Sequence, residues 1–183
     1  MRTELVERAR DGDANAFGEL AAGEVQRLLV VARLIVGDRD LADDVVQETL
    51  VRCWRYLPTL RDIDRFEGWL SRILMRAVAD QSKRQRRPAE VSLQAMLIEP
   101  ATMDEVSAVD DREQLDRGFG QLSIDHRSIV VLHQYLGLSM VEVGDLLGIP
   151  EGTAKSRYHY AMSALRAALE ADGRVPIRGE VLA

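Results

Sequence analysis

The sequence predicts an all-α protein of two small helical domains joined by a flexible acidic linker, the second domain carrying a helix–turn–helix. Three observations lead there. Apolar residues make up 46% of the 183 but aromatics only 5%, and Ala, Leu, Val, Arg, Asp and Glu are abundant, a mix that favours helices over sheets. Apolar positions recur three and four residues apart through most of the chain. The charge balance also breaks abruptly at Pro88, where "KRQRR" stops and "PAEVSLQAMLIEPATMDEVSA" begins.

That break sets the expected boundaries. Residues 1–87 hold 16 Lys/Arg and 15 Asp/Glu, and residues 88–108 hold four acids and no base. Residues 109–171 hold six bases and nine acids. The reading is a first domain over 1–87, a linker over 88–108, a second domain over 109–171 and a loose tail over 172–183. The overall charge of −6 argues against a simple nucleic-acid binder. The charged N-terminus is no signal peptide, and no apolar run approaches the ~18 residues of a membrane span.

In the first domain, Leu5, Ala9, Ala16, Phe17, Leu20, Leu28, Leu29, Ala32 and Ile35 recur at helical spacing, punctuated by Gly12 and Gly37. Then comes "DRDLADDVVQETLVRCWRYL". Asp40 is read as its N-cap, with Asp43 an acid in the first turn. Val46, Leu50, Cys53 and Leu57 form one buried stripe, and Asp44, Gln47, Glu48, Arg52 and Arg55 populate the other side. Pro58 ends the helix and "PTLRDIDR" is a loop. "FEGWLSRILMRAVADQSKRQRR" is the next helix, with Phe66, Trp69, Leu70, Ile73 and Ala77 on its apolar face. Trp69 is a core anchor, and Trp54 lies beside its own stripe, at the edge of burial.

In the linker, "MLI" is apolar enough to dock. The second domain reads as a helix to about Gln121, a turn at Ser123–Asp125, a helix to Tyr135 and a break at Gly137. Ser139 and Glu142 form a capping box, Gly148 supplies a left-handed residue, and Pro150 fits the first turn of the last helix. On that last helix Ala154, Tyr158, Ala161 and Leu165 face the core. Gly152, Ser156, His159, Tyr160 and Ser163 face away, with Lys155 and Arg157 flanking. A helix in the major groove needs small or donor-bearing residues towards the bases and cations at its edges, and Thr153 adds donors near its N-terminus. An ordinary helical hairpin has the same pattern, and six bases against nine acids release few counterions on DNA.

"DLADDVVQETLVRCWRYL", "FEGWLSRILMRAVADQSKRQRR" and "LSMVEVGDLLGIPEGTAKSRYHYAMSALRAAL" together resemble the bacterial RNA polymerase sigma factors of the extracytoplasmic-function type (group IV). The resemblance covers roughly residues 1–170 and keeps the family's motif order. It implies an initiation subunit, not an enzyme, with core RNA polymerase (β′ and β subunits) and promoter DNA as partners. Asp44, Gln47, Glu48, Arg52 and Arg55 are then the polymerase-docking residues, a role that only the resemblance sets above a solvated charged face. The loop from Tyr56 to Arg65 and the helix after it read the −10 element, with Arg61, Arg65, Arg72, Arg76, Lys83 and Arg84 holding the strand. Family members often carry Asn where this chain has Arg76, which favours a phosphate contact there. Thr153, Lys155, Ser156, Arg157, His159 and Tyr160 read the −35 element, with Tyr160 and Met162 standing where the family often has bases. The acidic linker resembles the family's connector through the RNA-exit path, and a flexible spacer with incidental acidity fits the same residues. A cytoplasmic location and an anti-sigma partner are implied as well.

Catalytic, metal and cofactor sites are not expected. Cys53 lies on a buried stripe, and His126, His133 and His159 have no metal-ligand spacing with it. No glycine-rich phosphate loop occurs. Two rivals stand beside the sigma reading: a stand-alone helix–turn–helix regulator binding operator DNA, and a protein-binding adaptor. The first needs a basic patch or a dimer of its own, which the acidic second domain does not supply.

Overall fold

The computed structural model describes residues 2–86 and 117–171, all helical or turn with no strand among them. They belong to two compact units. The expected linker with its "MLI" segment, the start of the second domain and the tail lie outside the described residues.

The first unit holds α1 (Arg2–Arg10), α2 (Ala14–Val36), α3 (Arg39–Tyr56) and α4 (Phe66–Arg86). Asp13 starts α2 by accepting from the Asn15 and Ala16 N–H groups at 2.9 and 3.0 Å. The bond from Ala16, and then Arg8, hold its carboxyl below the ordinary value. Gly37 closes the helix at φ 76°, returning its N–H to Arg33. The cap of α3 is Asp38, whose side chain accepts from Leu41 N at 2.9 Å. Asp40, expected as the cap, sits inside the first turn, where its charge still suits the helix dipole.

Helices α2, α3 and α4 pack in sequence, with α1 against α2. Leu28, Ile35, Leu57 and Leu70 are fully buried between them, each contributing about 2 kcal/mol by leaving water. Cys53 joins this core, as its stripe predicted, and Leu50 is half-buried. The apolar face of α4 is wider than the sequence reading had it, because Leu74, Met75 and Val78 are buried too. Glu24 is the buried charge of α2: Arg2 and Arg27 hold its two oxygens at 2.6 and 2.8 Å. Pairing on both sides is what allows a carboxylate there. Arg2 also reaches Glu67, so α1 is pinned to α4. The segment between α3 and α4 is more ordered than a plain loop, with 3-10 turns at Leu57–Thr59 and Ile63–Arg65.

The second unit holds a helical turn at 117–120, then α5 (Ile124–Val130), α6 (Met140–Leu147) and α7 (Glu151–Ala171). The turn expected at Ser123–Asp125 is helix from Ile124 on, with Ser123 its N-cap, accepting from His126 N. Arg127 folds back onto the preceding turn, donating to the Leu122 and Gly120 carbonyls at 3.0 and 2.9 Å. After Val130 the helix widens into π geometry over Val131–Tyr135 and ends at Gly137, φ 68°. Helices α5 and α7 pack together. Leu122, Val130 and Ala161 form a core cluster covered by Phe119, Tyr158 and Met162. Met162 is thereby committed to packing.

Candidate nucleic-acid and partner-binding surfaces

The helix–turn–helix is built from α6 and α7. The Ser139 N–H donates to Glu142 at 2.8 Å while the Glu142 N–H reaches Ser139 Oγ at 3.3 Å, the reciprocal box that the spacing predicted. Gly148 turns the chain at φ 68°, and Ile149 N donates to the Gly144 carbonyl at 2.9 Å. That close return explains Gly144: a Cβ there would lie 2.8 Å from the Ile149 carbonyl oxygen. Pro150 stands just before α7 rather than in its first turn, and its carbonyl takes the Thr153 and Ala154 N–H groups.

Ala154, Ala161 and Leu165 are buried, as the wheel predicted. Lys155, Ser156, His159 and Tyr160 are exposed on the other side, with Thr153 and Arg157 half-buried at its edge. The six −35 candidates thus share one helix surface, but two of them are tethered. Lys155 pairs with Glu151 at 2.7 Å, and Ser156 donates to the Thr153 carbonyl at 3.0 Å. The Tyr160 ring rests on His126 of α5, centroids 4.8 Å apart, a contact that local sequence pattern did not indicate.

On α4, Arg72, Arg76 and Lys83 are exposed, and their spacing puts them within about 40° of one line along the helix. Among the described residues none of the three forms an ion pair. Arg61 and Arg65 are exposed in the segment before α4, with Arg65 held by Asp62 at 3.1 Å. Arg84 is exposed but lies off that line. It borders a groove of about 270 Å³ between α3 and α4, together with Asp44, Gln47, Glu48 and Arg52.

Four of the five polymerase-docking candidates therefore line one groove, and the exposed Arg55 does not. Arg52 is only a fifth exposed and is bound to Glu48 at 2.7 Å and to Asp80 of α4 at 2.8 Å. Its guanidinium is more basic than usual, Glu48 being the larger cause. Sequence reasoning missed Asp80, Gln81 and Val51 of this groove. A partner 28 residues away leaves no mark in local spacing. No helix among the described residues is long and apolar enough to cross a membrane.

Residues 21–88 match the family model for sigma-70 region 2, and residues 118–167 match that for sigma-70 region 4. The chain is 38% identical over 139 residues to the ECF RNA polymerase sigma factor SigL of Mycobacterium tuberculosis, covering 74% of this chain and 78% of that one. The chain belongs to the ECF sigma factors. As one of them it binds core RNA polymerase and directs promoter-specific transcription initiation, and the sigma factors are not an enzyme family. It is also 32% identical over 166 residues to CarQ of Myxococcus xanthus, covering 88% and 93% of the two chains. Among solved structures it is similar to CnrH, determined in complex with the cytosolic domain of CnrY, with TM-score 0.66, 29% identity and 93% and 98% coverage. The sigma factor RpoE of Bartonella quintana, determined with the anti-sigma factor NepR, shares the fold at TM-score 0.71 and 24% identity, over 85% and 98% of the chains.

Proposed function

We propose that this ECF factor divides its work as follows. Residues 1–87 dock on core polymerase and open the −10 element, 88–108 connect, 109–171 read the −35 element, and 172–183 form a tail. Asp44, Gln47, Glu48, Arg52 and Arg55 meet polymerase. Arg72, Arg76 and Lys83, with Arg61, Arg65 and Arg84 around them, hold the melted strand. Thr153, Lys155, Ser156, Arg157, His159 and Tyr160 face the −35 duplex. The observation that carries this reading is that α4 serves two surfaces. One side bears the cationic line of Arg72, Arg76 and Lys83, and another walls the groove lined by α3. A partner seated in that groove positions the cations for DNA.

The few cations on α7 make the second domain a weak DNA binder alone, and tethering to polymerase raises its effective concentration. The protein acts in the cytoplasm, beside core polymerase, and performs no catalysis itself. An anti-sigma partner belongs to the same reading, and CnrH being determined in complex with the cytosolic domain of CnrY supports a bound protein partner for this chain as well.

The test is a gel shift on promoter DNA with the protein alone, core polymerase alone, and both. A specific shift only with both is expected, and a tight shift by the protein alone would return the stand-alone regulator. Arg157→Ala should cost the holoenzyme ~1–3 kcal/mol at a promoter that needs its −35 element. Equal initiation by parent and variant removes Arg157 from the reading set.

A further inference from the structure

Tyr160 is the most exposed of the large apolar side chains described, at 63%, yet its ring is held. It lies 4.8 Å from the His126 ring, the planes inclined at 33°. The two residues come from different helices, Tyr160 from the middle of α7 and His126 from the first turn of α5. His126 is itself fixed. Its Nδ1 lies 3.0 Å from Ser123 Oγ, and its backbone N–H reaches the same oxygen at 3.3 Å. Ser123 caps α5, and α5 packs on α7 through the Val130–Ala161 core. A chain of contacts thus runs from a helix cap to a ring on the face assigned to duplex DNA.

An exposed tyrosine left to itself samples several rotamers, and ordering one on binding offsets much of what a single base or phosphate contact contributes. A neighbouring ring that selects the rotamer in advance removes that cost. Tyrosine then offers duplex DNA an apolar edge for a thymine methyl and a phenolic donor for a phosphate oxygen. We propose that His126 is a positioning residue for promoter binding, holding the Tyr160 ring in the orientation that meets the −35 duplex. This rests on the assignment of the α7 face to the −35 element, and adds to it a residue that lies outside the helix–turn–helix.

The experiment uses holoenzyme reconstituted from core polymerase and the full chain. Occupancy is measured on a promoter that requires its −35 element and on a forked template carrying only the −10 element. His126→Ala should lower occupancy of the first roughly three- to tenfold and leave the second unchanged. His126→Phe, which keeps a ring at that place, should restore most of the loss. In a Tyr160→Ala background, His126→Ala should add nothing. The proposal is overturned if the Phe variant is as impaired as the Ala variant, if the two Ala losses add, or if His126→Ala matches the parent. Should His126→Ala weaken both templates equally, failure of the Phe variant to recover either overturns it, and selective recovery on the −35 promoter supports it. Absence of any −35 dependence in the parent holoenzyme overturns the assignment of the α7 face itself, and the inference with it.

Discussion

The guanidinium of Arg52 joins α3 to α4 through Asp80, 2.8 Å away, while its Nε holds Glu48 at 2.7 Å. One cation therefore arranges two carboxylates on the wall of the groove between α3 and α4, the proposed polymerase-docking surface. Removing it leaves them facing without a counter-charge. Arg52→Ala should lower stability by about 1 kcal/mol in urea unfolding, the pair being partly exposed. Affinity for core polymerase should fall as well, because Glu48 loses its fixed rotamer. Arg52→Lys should recover little of that affinity, since an ammonium cannot hold two carboxylates with a planar fork. Wild-type affinity in the Ala variant would exclude Arg52 from docking.

Gly144 is set by space rather than by backbone conformation. An added Cβ would meet the Ile149 carbonyl oxygen at 2.8 Å and Glu151 N at 3.5 Å. Both are backbone atoms and cannot swing aside. Gly144→Ala should force the turn open at a cost of about 2 kcal/mol. Initiation at −35-dependent promoters should drop, while core binding, which we propose uses the α3–α4 groove, is kept. Equal loss of both would show a wider unfolding.

The capping box of α6 makes its stability depend on acid. Ser139 donates to Glu142 from both hydroxyl and backbone, the hydroxyl bond being the larger cause, and these bonds hold the Glu142 carboxyl below its ordinary value of 4.5. A depressed folded pKa means the contribution is present above the unfolded value and is lost as pH falls through the folded one. Thermal unfolding of the full chain should therefore lose stability below about pH 4.5 more steeply in the parent than in Glu142→Gln. Parallel curves would show that the charge adds nothing to the cap.

Cys53 should be chemically silent in the folded protein. Burial pushes its thiol up to about 12, with Glu24 adding to the effect. Thiolate is then scarce at pH 8, and alkylation should require opening of the core around Cys53. Full labelling in denaturant against little in buffer is the expected result. Fast labelling of the native chain would place the thiol at the surface.

The buried faces of the long helices were legible in the chain because a period of 3.6 leaves a repeated mark. Val46 and Cys53 on α3 with Leu57 just past its end, and Ala154, Ala161 and Leu165 on α7, fall where that period puts them. The Ser139–Glu142 box and the Gly37 and Gly148 turns were legible for a related reason: caps and left-handed residues act within a few positions. Where two local signals competed, the reading slipped. Asp38 and Asp40 are both good caps two residues apart, and the extended backbone at Asp38 decides between them.

Local order in this chain, its helices, stops and exposed polar stripes, follows from interactions between near neighbours, which residue types and spacing encode directly. Contacts between distant segments depend on how packed helices bring those stripes together. The Arg52–Asp80 tie, the placement of Arg84 beside the α3–α4 groove and the ring of His126 beneath Tyr160 arise only there. Each joins residues from different helices, and their meeting is set by the cores that pack α3 on α4 and α5 on α7.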